Sequence, residues 1–407
     1  MSDKDNNTQE PEPKRQRIQD ASDPNKTPRA FRNKNRGFPQ PASSSTSLPP
    51  SQSSHSEAAS QTSGRSSPSK QLQLAGLEID PNGFKRHALD LKNPELPPAL
   101  RSMLLELQNC KGSGLGVVSN HWQQDIMERA SQDAEFCVFL PHMFVPAGER
   151  DQLGPTPSPD EAMFLAQKTN QCDTTSQNEA GWNMMVHYPL LDRAIYGPQI
   201  QRRSQLVGFA PCTTAKIIRE YHSVATQPKM IDFCTFLNPV PDIDPVASEA
   251  VEKVRGLLPL KVVNHTAFDP LRDCPIAISI ETKAPDKAAA SGAISLQLGT
   301  WHAAQWHFLE DLVALSGGSF DSLPYLPAII VQGHQWSFAA TTRTGKKNKL
   351  WLSYEFGDTS DVLGVYKTVW GVQRLCQWTE QVYWPWYRAN ALGLSEQPIV
   401  KENAQVG

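Results

Sequence analysis

The chain has 407 residues, a net charge of −3 and seven scattered cysteines with no C-x-x-C pair. It is long enough to bury a large core, and its cysteine usage argues against both a disulfide framework and a zinc ribbon. No apolar run reaches ~18 residues and the chain opens MSDKDNNTQE, so neither a membrane span nor secretion is expected, and a reducing compartment, nuclear or cytoplasmic, fits best.

Charge is unevenly divided. Residues 1–70 carry 11 Lys+Arg against 7 Asp+Glu, and the other 337 carry 28 against 35. Ser, Pro and Gln dominate Pro39–Ser69, a composition that buries too little surface to offset the ordering of its backbone, so 1–70 reads as a disordered basic tail. Within it, Lys14-Arg15-Gln16-Arg17, followed by Arg29, Arg32, Lys34 and Arg36, has spacing compatible with an import receptor's signal, although such clusters also serve only solubility. The acidic body must confine any nucleic-acid contacts to a local basic patch.

Order is expected from about Leu72. The pattern predicts a helix over Leu91–Cys110, a second over Asn120–Arg129, a short strand over Glu135–Leu140, and a loop with Pro155, Pro157 and Pro159. Gly112–Gly116 (GSGLG) lacks a following G-K-[ST] and reads as a loop, not a phosphate cradle. Trp182, Val186 and Leu190 place a helix over Ser176–Ile195. Met230–Leu237 and Leu260–Val263 read as strands with a helix, Val246–Leu258, between them. A core strand, Pro275–Lys283, precedes a long helix, Ser291–Leu315. Strands follow at Leu326–Gln332, Gln335–Thr342 and Lys349–Phe356, then a helix at Asp361–Trp378 and an aromatic segment, Tyr383–Tyr387. Strands and helices mixed in one region mean an α/β or α+β fold around one sheet.

In PIAISIETK, alternation puts Ile276, Ile278, Ile280 and Thr282 on one face and Ala277, Ser279, Glu281 and Lys283 on the other. Glu281 and Lys283 then lie about 6.6 Å apart along the strand, suited to a carboxylate holding a metal and an ammonium holding an attacking water, although E-x-K is also an ordinary solvated strand end. Asp232 interrupts an otherwise apolar run and needs a partner or a cation if buried; on an edge it would simply face water. Glu179 shares a helix face with Trp182, yet Ser176-x-x-Glu179 also has capping-box spacing. Gln297 lies one turn before Trp301, where its amide could contact a phosphate or position Lys283, although a polar helix flank is just as common. His187 and His265 have motif positions near these residues, but lone histidines are more often packed or on the surface.

The order Glu179, Asp232, Glu281-Thr282-Lys283 and Gln297-x-x-x-Trp301 resembles the PD-(D/E)XK nuclease superfamily. The stretches NEAGWNMMVHYPLL, MIDFC, NHT, PIAISIETK and QLGTW are more closely similar to fungal PD-(D/E)XK nuclease-like domain proteins, over roughly Glu161–Trp386. The resemblance implies a restriction-endonuclease-like central mixed sheet flanked by helices. It further implies that Glu179, Asp232 and Glu281 bind Mg²⁺ or Mn²⁺ and that Lys283 orients water or stabilises charge. No proline precedes Asp232, and the 49-residue step from Asp232 to Glu281 is long for the superfamily. The implied domains are a tail (1–70), a helical extension (71–160), the nuclease-like domain (161–390) and a C-terminal tail (391–407). Phosphodiester hydrolysis of nucleic acid, chiefly DNA, is the expected activity, with Arg343, Lys346, Lys347 and Lys349 on a predicted hairpin as the grip and Trp336 or Trp351 as stacking faces. The alternative is a catalytically silent module of the same fold that binds nucleic acid or a protein partner.

Overall fold

Ile276–Lys283 is buried on both faces except at Lys283, the pattern of a strand at the centre of a covered sheet. A computed structural model of the protein places it there. The structure describes residues 68–198, 205–222, 229–241, 243–285 and 287–394, all within one compact unit spanning Gln61–Gly407. The basic cluster Lys14–Arg17, nearly all of the expected N-terminal tail and residues 395–407 lie outside the described residues.

Seven strands form the main sheet: β1 (Phe84–Ala88), β2 (Val207–Pro211), β3 (Phe233–Leu237), β4 (Ile276–Lys283), β5 (Leu326–Gln332), β6 (Gln335–Thr344) and β7 (Lys347–Asp358), in the order β1-β7-β6-β5-β4-β3-β2. The β4/β5 and β1/β7 pairs are parallel and the others antiparallel. The sheet is therefore mixed and flanked by helices, as expected. The 30-residue helix Lys287–Ser316 connects the parallel pair β4 and β5, the crossover that such a pair requires.

One face of the sheet packs Ile278, Ile280, Ile329 and Phe338 with Val365 and Val369 of helix Val362–Trp378. On the other, Ala328, Ile330, Ala339 and Leu350 meet Leu298 of the long helix and Leu74 and Leu77 of helix Pro68–Ile79. Gly299 permits this contact. A Cβ there would lie 2.1 Å from the Phe84 ring, so only glycine lets the helix settle on β1.

β1 comes from the stretch expected to be a helical extension packing on the core, and it pairs with β7, so the sheet spans the expected boundary at 161. The first expected helix is also shorter, Pro98–Ser113, opening on Pro98 and closing on Gly114 in the left-handed region at φ 65°, where glycine escapes the Cβ clash. Asn120–Arg129 is a 3₁₀ turn leading into helix Gln123–Arg129. Glu135–Leu140 is not a strand: Asp133 caps a 3₁₀ turn at Ala134–Phe136, which buries Phe136 and Phe139 three residues apart instead of alternately. Leu260–Val263 is not a strand either, because Pro259 opens a 3₁₀ turn and Leu260 and Lys261 have positive φ.

Candidate active site

Four of the residues singled out in the sequence meet where β4 ends and β3 begins. Glu281 is fully buried and Asp232, just before β3, is 8% exposed. A solvated strand end is thereby excluded for Glu281, as is a water-facing edge for Asp232. Lys283 Nζ lies 2.5 Å from Glu281 Oε1 and 3.3 Å from Glu179 Oε2. One ammonium thus bridges a strand carboxylate and a helix carboxylate.

Glu179 reaches Lys283 because it is not occupied at its own helix end. Helix Glu179–Trp182 is capped by Asn178, whose side chain accepts from Gly181 N–H at 2.9 Å, while Ser176 sits at φ 49°. The capping box expected at Ser176 lies one helix earlier, where Glu161 N–H donates to Ser158 Oγ and Ser158 N–H to Glu161 Oε2.

Asp232 finds its partner in β4. Its Oδ2 accepts from Thr282 N–H at 2.8 Å and Thr282 Oγ1 at 3.0 Å, tying the start of β3 to the residue between Glu281 and Lys283. Thr282 was absent from the sequence-based site. Its place between the two E-x-K residues was the only signal, and the pleat assigned it to the opposite face. Gln297 Nε2 donates to Glu281 Oε2 at 2.8 Å and to the Met230 carbonyl at 2.5 Å, so the long helix orients Glu281 and not Lys283.

Burial pushes the Glu281 carboxyl well above the usual carboxylate range; Lys283 opposes this, and Asp232 and Glu179 add to it. Burial also works against the charge on Lys283, but Glu281 and Glu179 outweigh it and the pKa is raised. Glu281 Oε1 faces the Lys283 ammonium at 2.5 Å, a charge-assisted contact, and the buried carboxylate needs that cation or another to remain ionised.

Oxygen donors of this kind suit a hard divalent ion. Among the described residues, however, no three His, Cys, Asp or Glu side chains form a group able to hold a metal. The Lys283 ammonium contacts both Glu179 and Glu281, where a shared cation would have to compete with it. The donor chemistry fits, and the geometry requires Lys283 to give way.

The two histidines part company. His187 is fully buried and its Nε2 lies 2.8 Å from the Gly333 carbonyl in the turn beside Lys283. His265 is buried edge-on against Trp301, at 4.4 Å between ring centroids, and burial lowers its pKa well below the ordinary value.

The predicted grip lies apart from these residues. Lys283 aligns with Gln332, and Gln332 with Gln335, so the turn after Thr344 lies at the far end of β6, roughly 30 Å along the strand. Arg343 is held by Glu310 at 2.8 Å and Lys349 by Glu95 at 3.0 Å, leaving Lys346 and Lys347 as the exposed cations of that turn. Trp336 and Trp351 are fully buried. They are core residues and offer no stacking face.

Among the described residues no helix is long and apolar enough to cross a membrane. No curated protein and no solved structure matches the chain. The sequence model of the PD-(D/E)XK nuclease superfamily matches residues 126–384, well over half of the chain and every site residue above. With the mixed sheet and the Asp232, Glu281 and Lys283 arrangement, that match establishes that the chain belongs to the PD-(D/E)XK nuclease superfamily.

Proposed function

We propose that the protein is a metal-dependent nuclease hydrolysing phosphodiester bonds, with DNA as the first substrate to test. The observation that carries this reading is the buried Glu281 carboxylate, fixed on one oxygen by Gln297 and facing a cation on the other. A structural salt bridge gains little from such burial, because desolvation offsets the Coulomb attraction. A site that must receive a divalent cation requires it.

Asp232 and Glu281 would hold Mg²⁺ or Mn²⁺, with Glu179 joining as Lys283 withdraws. The ion would supply charge stabilisation at the scissile phosphate and a lowered pKa for water. Lys283, released from Glu281, would direct its ammonium to the attacking water or the developing negative charge. Gln297 keeps Glu281 oriented, and Thr282 keeps Asp232 beside it. Lys346 and Lys347 would touch only a substrate running the length of the sheet. The tail cluster Lys14–Arg17 would direct the protein to the nucleus.

The test is nicking of supercoiled plasmid with Mg²⁺, Mn²⁺ or EDTA. Wild type is expected to nick only with metal, and Glu281→Ala or Lys283→Ala to slow it on the order of 10²-fold or more. The contact of Lys283 with both Glu179 and Glu281 favours one second reading, a silent module whose ammonium permanently replaces the metal. Equal behaviour of wild type and both variants, with or without EDTA, selects that reading.

A further inference from the structure

His187 belongs to the π-helical turn Asn183–His187, eight residues after Glu179 on the same helical run. Its ring is fully buried, stacked on Trp182 and edge-on to Trp336. Burial pulls its pKa down to about 4, so at neutral pH the ring carries one proton. A carbonyl only accepts, so that proton is on Nε2 and is donated to Gly333 O at 2.8 Å. Nδ1 is then an acceptor, and the Asn183 amide, 2.8 Å away, serves it with its NH₂ after a half-turn about the terminal bond.

Gly333 carries the connection onward. Its N–H donates to the Lys283 carbonyl at 2.9 Å. It has φ +57°, and a Cβ there would lie 2.6 Å from Pro285, so the turn tolerates little but glycine. One residue in the β5–β6 turn therefore links the helix bearing Glu179 to the strand end bearing Lys283. The two side chains thus joined are those whose charged atoms stand 3.3 Å apart.

We propose that His187 is a positioning residue: through the Gly333 turn it fixes where the end of β4 presents Lys283 relative to Glu179. This rests on the nuclease reading for its effect on rate, while the physical link is independent of activity. A packing role would be met by any apolar side chain of similar volume. A positioning role requires a donor at the Nε2 position.

The experiment compares wild type, His187→Leu and His187→Gln by plasmid nicking with Mn²⁺ and by amide hydrogen exchange across the Gly333 turn. His187→Leu is expected to lower kcat by about 10²-fold, the scale of an ångström-sized misplacement, with KM for DNA unchanged. Its Gly333 amide should exchange about tenfold faster or more. His187→Gln, which restores a donor, should recover most of both. If His187→Leu does not fold, His187→Asn, too short to reach Gly333, takes its place. An unchanged Gly333 exchange rate, or faster exchange with unchanged kcat, overturns the proposal. If wild type cleaves nothing, the nuclease reading has failed and the exchange arm alone decides the link.

Discussion

Lys283 Nζ stands 2.5 Å from Glu281 Oε1 while Gln297 holds the other carboxylate oxygen at 2.8 Å. A buried carboxylate is therefore held by an amide on one side and faces an ammonium on the other. One oxygen is thus oriented by a neutral amide and the other is compensated by a charge, which is the side a competing metal ion would have to take.

Removing the ammonium should be costly. Lys283→Met leaves Glu281 buried and uncompensated, and the expected loss of stability is about 3–5 kcal/mol. Adding Glu281→Gln to that background should recover much of it, since no charge is then stranded. Thermal unfolding of the four proteins of this cycle, with and without Mg²⁺, checks both parts; strict additivity of the two substitutions would contradict the pairing. Mg²⁺ should raise the Tm of Lys283→Met more than that of wild type, because the ion no longer competes with the lysine.

Thr282→Val keeps the shape of the side chain and removes one of the two hydrogen bonds to Asp232 Oδ2. Hydrogen bonds to charged groups are worth about 1.5–3 kcal/mol, and the remaining backbone N–H bond should keep the loss near the lower figure. Denaturant unfolding measures it. If Asp232 also orients the metal, nicking should fall by more than the stability change explains, and a variant indistinguishable from wild type in both assays would show that the bond holds nothing.

Acid should destabilise the protein through its buried imidazoles. Burial lowers the pKa of His187 to about 4 and of His302 to about 3, and His265 moves the same way. Each ring takes up its proton readily only after unfolding, so each contributes stability that is complete above the unfolded value of ~6.5 and lost as pH falls toward the folded one. For His187 and His302 the loss is roughly 2 kcal/mol each by pH 5. Glu281 acts in the opposite sense, gaining as pH falls, so the comparison is wild type against His302→Asn between pH 8 and 5. The wild-type Tm should fall more steeply; parallel curves would contradict the assignment.

The α/β class, the central strands of the sheet and the candidate residues Glu179, Asp232, Glu281 and Lys283 were legible along the chain. These follow from local regularities. Alternation in PIAISIETK puts Glu281 and Lys283 on one face of a strand, helical spacing of Trp182, Val186 and Leu190 aims Glu179 inward, and a lone carboxylate in an apolar run advertises a partner. What those residues touch is set by the packing of distant segments. Asp232 finds Thr282 across a 50-residue separation, Lys283 bridges to Glu179 from the far side of the chain, and His187 reaches Lys283 through Gly333. Such contacts depend on strand register and helix docking, which no window of neighbouring residues encodes. The hairpin lysines make the same point in reverse: their local chemistry suits phosphates, but strand direction carries them to the opposite end of the sheet.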